Sequence, residues 1–534
     1  MRRWLSFEHL FILIFILALV LRFAVLDLKL LHHDEAVHAW FSYELLTKGA
    51  YAYDPMYHGP FLYYVTAGMF ALLGDTDLVA RLLPALFGSL LIPLVYAIYR
   101  LGYLDRKQTL IAALFIALSP NLVYFSRFLR HDIFQLFFTL LILVALLAYL
   151  NRGQLRYALL AGLAIGGGMT LKEDMPIFLV ILAGFALFLL WTRQVRFPSH
   201  WKRDTVLGLL LAVGIMAIFY SSFGNHFEVL QTGWIRAFQH WTAMSGQCRI
   251  CGPPFFYILL FLLYELPIFI LAVVGIVQFA TRHLQVPSWL AIRRGTKTPA
   301  TTGELVGMSL RQIRGEVPPG KMQWDRKELF FGFCIWWLLV SIVAYGYIGE
   351  KVPWLIIHQL LPMIFVSVFM LSRKKIAFAL IGCIFLALLT WHVAFVPADV
   401  NEPIVQVQNS EDMREVMRLI DASETVVIAS KDYWPLPWYY RGDRWDKFRF
   451  YGALVDNNTV YATNADMVIT HDLESYDTLD GFDKKTYKLS YWFSIYDNDK
   501  RIPEYYFKRD GKMGSINIDV FTRNLTAGRI PVGT

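Results

Sequence analysis

Charged residues and cysteines are both scarce in this chain of 534 residues. Asp, Glu, Lys and Arg together make up 17% of it, whereas 56% is hydrophobic and 16% is aromatic. This balance excludes an ordinary soluble globular protein and is typical of a chain with many membrane spans. Four cysteines are too few for a disulfide framework. Cys248 and Cys251 lie close enough in sequence for one small external disulfide, with free thiols as the alternative.

The chain also lacks a glycine-rich phosphate loop of the GxGxxG or GxxxxGK[ST] type. Its absence argues against a cytoplasmic nucleotide as an energy source or group donor. The net charge of +8 comes from Lys and Arg in short loops between hydrophobic segments, not from one basic stripe. Membrane topology explains this distribution, so no nucleic-acid partner is expected.

Hydrophobic segments recur along the first three quarters of the chain, most of them about long enough to cross a ~30 Å hydrocarbon core. The first, residues 7–26, is expected to be a transmembrane helix, because it is too long for a signal peptide and has no small-residue cleavage site. Ten more follow, at residues 78–100, 107–125, 129–150, 156–171, 174–192, 205–221, 255–280, 329–348, 353–371 and 376–396. The segment 61–73 is too short to span and is expected in the interface. The sequence therefore predicts about eleven transmembrane helices within a domain of residues 1–396.

The basic residues predict the orientation of these helices. With the N-terminus in the cytoplasm, five basic loops fall on the cytoplasmic side, as the positive-inside rule requires: those with Arg100, Arg106 and Lys107, with Arg152 and Arg156, with Arg193, Arg196, Lys202 and Arg203, with residues 281–328, and with Arg373, Lys374 and Lys375. The longest of them, residues 281–328, is rich in Arg, Gly, Pro and Thr and is expected to be a flexible linker. The first external loop, residues 27–77, then lies on the outer face. We expect an integral plasma (inner) membrane protein in contact with membrane lipids.

The chain after residue 396 has the pattern of a soluble domain. Residues 412–422 have helical spacing, and residues 425–429 and 466–470 are typical of short buried strands. We therefore expect an extracytoplasmic α/β domain over residues 397–534. Within it, residues 432–440 read DYWPLPWYY, an aromatic loop stiffened by proline. Such a loop could cover a ligand, rest on the membrane or simply pack.

The densest polar motif is HHDEAVH, residues 32–38, soon after the first hydrophobic segment. Carboxylates beside a membrane are costly to bury unpaired and tend to mark functional cavities. A transferase needs a carboxylate to take the proton of the attacking hydroxyl, which makes Asp34 and Glu35 the catalytic candidates. His33, together with His58 of the loop at residues 57–60, is assigned to the same pocket. An interfacial charge pair is the alternative for the two acids.

Positive charge is disfavoured on an outer membrane face, yet Arg127 and Arg130 are predicted to lie there. An anionic ligand such as a lipid phosphate would account for them, because Arg binds phosphate through two parallel hydrogen bonds. Simple interfacial anchoring is the alternative. The adjacent His131 and Asp132 could join Asp34 as ligands of a divalent metal, Mg²⁺ or Mn²⁺. No other cofactor is indicated.

Two polar hairpins interrupt the hydrophobic pattern on the same side. Lys172 in the first is a candidate partner for a phosphate, with Glu173 beside it in the pocket, and a salt bridge to a neighbouring acid would explain it equally well. In the second, Lys351 and His358 would share a helix face. We assign both to the phosphate and place Glu350 in the pocket.

Three stretches resemble the GT-C glycosyltransferases in their order and spacing. They are the acidic pair after the first span, HGPFLYY at residues 58–64 and ARLLPALFG at residues 80–88. Within these the chain is similar to the protein O-mannosyltransferase and aminoarabinose transferase branch, and most to a prokaryotic subgroup described as flippase-associated. The resemblance covers residues 1–200 well and includes residues 349–358. It matches the C-terminal domain only in general type.

The resemblance implies an enzyme of the hexosyltransferase type that transfers a sugar, with inversion, from a polyprenyl-phosphate donor to a protein, lipid or glycan hydroxyl on the outer face. By position it makes Asp34 the base and Glu35 its neighbour. It places Arg81, Arg127 and Lys172 near the donor phosphate or in contact with the loop. The extra histidines and residues 130–132 depart from the metal-independent branch, so a metal as in the oligosaccharyltransferases stays open.

A noncatalytic transporter or flippase-associated subunit for lipid-linked sugars is the alternative function. Transporters commonly contain repeated halves and carry charges near the bilayer midplane. This sequence has no visible repeat, and its unusual charges are predicted to cluster at one face. Both observations favour the enzyme.

Overall fold

A computed structural model describes residues 6–49, 51–195, 197–245, 252–283, 324–349, 351–494, 496–509 and 511–524. Cys248, Cys251 and Glu350 lie outside the described residues, as does most of the predicted linker 281–328. The predictions made for them stay predictions.

Helices form nearly all of the described chain up to residue 395. In chain order they are α1 Phe7–Phe23, α2 His33–Lys48, α3 Phe61–Leu73, α4 Asp77–Arg100, α5 Arg106–Leu118, α6 Pro120–Ser126, α7 His131–Arg152, α8 Leu155–Met169, α9 Met175–Thr192, α10 Trp201–Tyr220, α11 Glu228–Ser245, α12 Phe256–Tyr264, α13 Leu266–His283, α14 Arg326–Tyr347, α15 Ile356–Ser367 and α16 Arg373–Phe395. Short 3₁₀ turns at Pro55–Tyr57 and Pro353–Leu355 precede α3 and α15.

Seven helices of the described chain are long and apolar enough to cross a membrane, namely α4, α7, α9, α10, α13, α14 and α16. The pair α5 and α6, bent by 58°, makes an eighth if it is counted as one span. The structure thus shows a polytopic helical membrane protein, but the predicted count of eleven is not reached. The shortfall arises because α1, α8 and α15 have only 17, 15 and 12 residues. Helix α3, at 13 residues, is as short as its sequence suggested.

The start of α2 is determined by its local sequence. The His32 side chain accepts a hydrogen bond from the backbone N–H of Asp34 at 3.1 Å, and Glu35 Oε2 accepts one from the backbone N–H of His32 at 3.0 Å. This reciprocal capping satisfies backbone donors that a helix N-terminus leaves free. Gly49 ends the helix with a left-handed φ of 65°, a conformation that favours glycine. Asp34 is therefore held in the first helical turn.

The C-terminal region contains a six-stranded mixed sheet in the order β1-β5-β6-β4-β2-β3. Its strands are β1 Gln408–Asn409, β2 Val426–Ala429, β3 Phe448–Phe450, β4 Met467–His471, β5 Phe482–Phe493 and β6 Met513–Arg523. Strand β2 runs parallel to β3 and β4, and the other pairs are antiparallel. The accompanying helices are α17 Asp412–Asp421, α18 Leu436–Tyr439, α19 Asn457–Ala462 and α20 Ile502–Lys508, and 3₁₀ helices occupy Gly442–Lys447 and Tyr496–Arg501. The predicted helix and both predicted strands are confirmed.

The sheet region is fastened to the helical region beside α2. Trp438 Nε1 donates to Asp77 Oδ1 at 2.7 Å, and the Tyr439 hydroxyl donates to Asp77 Oδ2 at 2.6 Å. Leu30, from the loop between α1 and α2, is buried in the hydrophobic core that α17 forms with the sheet. These contacts place the aromatic loop at residues 432–440 next to the first turn of α2.

Candidate active site

A cavity of about 830 Å³ opens beside the first turn of α2, within the size range of small-ligand pockets. Its other walls come from the loops before α7 and α9, from α11, and from residues 56–58, 347–355 and 406–407. Among the residues predicted from the sequence, those that line it are His33, Asp34, His58, Arg130 and Lys172. One carboxylate and two cations, far apart in sequence, therefore face the same space.

Asp34 is the acid that reaches this cavity, and its side chain is 31% exposed. Arg130 Nη1 donates to Asp34 Oδ2. Burial opposes ionisation of Asp34, but the charges of Arg130 and the neighbouring histidines outweigh it and hold its pKa well below the usual range. Asp34 is consequently a carboxylate at neutral pH.

Arg130 connects two carboxylates. Besides its contact with Asp34, its Nε donates to Asp132 Oδ2 at 3.1 Å. Its guanidinium carbon lies 3.6 Å from the centre of the Trp354 ring, within the range of a cation–π contact. The guanidinium is thereby held flat at the cavity wall.

Lys172 lies on the other side of Asp132. Its Nζ donates to Asp132 Oδ1 at 2.7 Å, although the sequence suggested a salt bridge to Glu173 or Asp174. Glu173 instead contacts His58, with 2.8 Å between Oε2 and Nδ1. Burial raises the pKa of Glu173, but His58 outweighs this effect and lowers it. Lys172 is thus paired with Asp132 at the cavity wall.

Glu35, Arg81 and Arg127 lie outside the cavity. Arg81 donates to both oxygens of Glu35 at 2.9 and 2.6 Å, and also to the carbonyls of Leu26 and Lys29. Arg127 donates to four carbonyls at the end of α1 and stacks on a phenylalanine ring, with no anion among its partners. These residues hold the chain between α1 and α2 in place.

Lys351 and His358, which the sequence assigned to the phosphate, also lie outside the cavity. Lys351 Nζ donates to the carbonyls of Tyr345 and Gly346 at 3.2 and 2.9 Å, where it satisfies the C-terminus of α14. His358 Nε2 lies 3.1 Å from Asp174 Oδ2, below the floor of the cavity. From this hairpin, Gly349 and Trp354 do line the cavity.

Asp132, Asp174 and His358 form a buried group whose ligand atoms lie within 4.8 Å of one another, and such a group could hold a metal ion. Asp174 Oδ2 is in contact with His358, whereas Asp174 Oδ1 has no hydrogen-bond partner within the described chain. The metal set predicted from the sequence, with Asp34 and His131 beside Asp132, is not assembled. Arg130 stands between Asp34 and Asp132, and His131 Nε2 faces the Gly59 carbonyl at 3.3 Å.

Sequence reasoning missed two features of the site. His38 Nδ1 lies 2.9 Å from the Tyr63 hydroxyl, which donates in turn to the Tyr57 carbonyl at 2.7 Å. Burial lowers the pKa of His38 to about 3, so the imidazole is neutral. The second missed feature is Trp354, whose ring packs against the Arg130 guanidinium. Its place in the polar hairpin at residues 349–358 was the only signal available.

Comparisons with known proteins agree with this geometry. Residues 57–220 match the family model described as dolichyl-phosphate-mannose-protein mannosyltransferase. The solved structure of ArnT from Cupriavidus metallidurans bound to undecaprenyl phosphate matches 95% of this chain and 97% of its own, with a TM-score of 0.57 and 15% sequence identity. Residues 57–220 are thus similar to a family of membrane mannosyltransferases, and the whole chain has an ArnT-like fold. The resemblance inferred from its motifs is confirmed, and the flippase-associated subgroup stays a prediction.

A second structure shares the fold of this chain. It is the archaeal oligosaccharyltransferase AglB from Archaeoglobus fulgidus in complex with an inhibitory peptide and a dolichol-phosphate. The match covers 87% of this chain and 69% of AglB, with a TM-score of 0.53 and 13% identity. A search of curated protein sequences finds no significant match.

Proposed function

We propose that this protein is a glycosyltransferase that transfers a sugar, with inversion, from a polyprenyl-phosphate donor to an acceptor hydroxyl on the outer face of the membrane. The observation that carries the proposal is the convergence of Asp34, Arg130 and Lys172 on one cavity. The lipid phosphates named in the ArnT and AglB structures support the donor class.

Arg130 and Lys172 form the donor phosphate site in this proposal. Both cations line the cavity, and each now contacts a carboxylate within the protein. A planar guanidinium held on Trp354 suits bidentate binding of a phosphate. Arg81, Arg127, Lys351 and His358 are given structural roles instead, because each is already occupied and none lines the cavity.

Asp34 acts as the general base. While Arg130 contacts Asp34, the carboxylate is stabilised and a weak base. A donor phosphate that draws Arg130 away would raise the proton affinity of Asp34 as the acceptor arrives. The acceptor oxygen then bonds to the anomeric carbon as the bond from that carbon to the phosphate oxygen breaks. The hydroxyl proton passes to Asp34, and the departing polyprenyl phosphate keeps the bonding electrons beside Arg130 and Lys172.

We propose that the charge on the leaving phosphate is balanced by side chains without a metal ion. Both oxygens of Asp132 already contact a cation, Lys172 at 2.7 Å and Arg130 at 3.1 Å. If an ion binds, Asp132, Asp174 and His358 would hold it, where it would supply positive charge behind the phosphate site.

The membrane arrangement follows the basic loops. We propose that α1, α8 and α15 also cross the bilayer, which makes eleven spans with the N-terminus in the cytoplasm and residues 397–534 outside. The cavity supports this arrangement. The start of α2, the start of α7 and the loop before α9 all line it, and each was assigned to the outer face from the sequence.

The direct test is mass-spectrometric turnover of a panel of polyprenyl-phosphate sugars by the purified protein and by Asp34→Asn. We expect the variant to release lipid phosphate at least about 100-fold more slowly, because a positioned general base contributes that much. Asp27→Asn is the matched control, an exposed acid in the same loop, and should behave like the parent.

Equal turnover by Asp34→Asn and the parent would remove Asp34 from the mechanism. A parent protein that consumes no donor in the presence of native membrane acceptors would favour the transport function instead.

A further inference from the structure

A second cavity, of about 880 Å³, adjoins the first between α2 and the C-terminal region. His33, Val37 and Tyr57 line both cavities. The second cavity therefore adjoins the one that Asp34 lines, so a molecule lying in it is next to the proposed base. We call it the aromatic cleft, because half of the residues that line it have aromatic rings.

The rings of the cleft form a connected row. Trp40 lies 6.1 Å from Trp434 at 80°, and Trp434 lies 6.0 Å from Tyr433 at 28°. Tyr433 continues the row to Phe450 at 4.5 Å. At the other end, His33 lies 6.3 Å from Trp434, next to Asp34. Rings from the helical region and from the C-terminal region thus face one continuous space.

The aromatic residues of the loop at residues 432–440 have two different roles. Trp438 and Tyr439 are used in packing, since both hydrogen-bond to Asp77 and Trp438 stacks on a phenylalanine of α3. Tyr433 and Trp434 are only half-buried, and within the described residues neither the Tyr433 hydroxyl nor the Trp434 indole N–H has a hydrogen-bond partner. Their polar groups are free for a ligand.

Two carboxylates line the cleft together with these rings. Asp443 and Asp446 line the cleft, are exposed, and form no ion pair within the described part of the chain. The other charged groups there are already paired, Glu44 with Lys48 and Arg441 with Asp75. A ligand of the cleft therefore meets both aromatic rings and exposed carboxylates that can accept hydrogen bonds.

We propose that the aromatic cleft binds the acceptor and that the acceptor is a carbohydrate. A pyranose ring has an apolar face of C–H groups, which suits the negative faces of aromatic rings, and a rim of hydroxyls that donate to carboxylates. A lipid chain has no hydrogen-bond donors for Asp443 and Asp446. An extended peptide is recognised mainly through backbone hydrogen bonds, whereas side chains line this cleft. This inference rests on the proposed function, since Asp34 must activate the hydroxyl that the cleft presents.

The test is binding without turnover, measured in the Asp34→Asn protein in lipid nanodiscs. The probes are maltotetraose, cellotetraose, mannotetraose and chitotetraose, and a serine- and threonine-containing peptide serves for comparison. We expect at least one oligosaccharide to bind. Its dissociation constant should rise about tenfold or more when Trp434→Ala or Tyr433→Ala is added, since loss of an aromatic anchor commonly costs that much.

Two further variants separate stacking from general damage. Trp434→Phe keeps an aromatic face and should retain most of the affinity. Tyr451→Ala removes a partly exposed tyrosine of the same domain that does not line the cleft, and it should bind like the parent. Failure of all four oligosaccharides to bind, binding of the peptide alone, or an affinity unchanged by Trp434→Ala would each overturn the proposal.

Donor turnover in the parent protein distinguishes the two proposals. If turnover requires Asp34 but no oligosaccharide binds, the proposal of a glycan acceptor is wrong, whereas the proposed transferase function is supported. If an oligosaccharide binds through Trp434 but no donor is consumed, the cleft is a glycan site and the proposed transfer is wrong.

Discussion

Arg130 donates from Nη1 to the carboxylate of Asp34 at the wall of the cavity. One side chain thus sets the charge state of the proposed base and is also placed to bind the donor phosphate. Arg130→Ala should raise the KM for donor and lower kcat by on the order of 100-fold, because a preorganised cation is lost. It should also move the acid limb of the pH profile upward, since the pKa of Asp34 rises when that charge is removed.

The measurement is donor turnover against pH for the parent, Arg130→Ala and Arg100→Ala, an exposed arginine at the end of α4 that serves as control. If the acid limb does not move in Arg130→Ala, the charge of Arg130 does not set the pKa of Asp34.

The pair of Glu35 and Arg81 should govern stability. Both side chains are at least nine-tenths buried and share two hydrogen bonds, so Glu35→Gln leaves a buried cation without its countercharge. Such a loss costs about 3–5 kcal/mol of the free energy of unfolding. We expect a lower thermal midpoint in detergent, and a double variant with Arg81→Gln that loses less than the sum of the two single losses.

The folded fraction of Glu35→Gln should still bind donor with the parent KM. A variant with an unchanged thermal midpoint and no turnover would instead make Glu35 a catalytic residue.

Chelation tests the proposal that side chains supply the positive charge. Because Lys172 and Arg130 already balance Asp132, we expect dialysis against EDTA to leave donor turnover unchanged. The reason to make this measurement is Asp174 Oδ1, which has no hydrogen-bond partner within the described residues. Loss of turnover that Mg²⁺ or Mn²⁺ restores, and that Asp174→Asn reproduces, would establish a metal site at Asp132, Asp174 and His358.

Acid should destabilise the protein through His38. Its pKa is about 3 in the fold because of burial, against about 6.5 in an unfolded chain. The unfolded state therefore binds the proton first as pH falls. The stabilising contribution of neutral His38 is complete above pH about 6.5 and is lost progressively toward pH about 3, with a loss of about 2 kcal/mol between pH 7 and 5.

Thermal midpoints at pH 7, 6 and 5 check this dependence. His38→Gln should reduce the slope, whereas His9→Gln, at an exposed histidine, should retain it. An equal slope in all three proteins would contradict the assignment.

Membrane topology can be measured with a single cysteine in a cysteine-free background. Leu473 lies in the C-terminal region and is 85% exposed. Leu473→Cys should therefore react with an impermeant maleimide in intact cells. Lys107→Cys, exposed at the start of α5, should react only after the cells are opened. The opposite labelling pattern would reverse the proposed orientation.

Much of the site was within reach of sequence reasoning because its signals are local. Hydrophobic length predicted where helices form, and the dense polar motif at residues 32–38 directed attention to Asp34. Lys172 and Arg130 were selected because charge is rare beside membrane spans. The count of spans was less certain, since α8 and α15 are apolar but short. The β5–β6 hairpin went unrecognised, because its exposed face breaks the hydrophobic run that β2 and β4 have.

Composition and local motifs were enough to establish a polytopic membrane protein with a sheet-containing C-terminal region and an acidic motif after its first hydrophobic segment. Only the tertiary structure decided which charges act together. Asp34 and Glu35 are neighbours, but successive residues of a helix point about 100° apart, so one faces the cavity and the other meets Arg81. Arg127 and Arg130 are also close in sequence, between α6 and α7, yet only Arg130 lines the cavity. A residue's type and position set its chemistry, and its partner depends on contacts between segments distant in sequence.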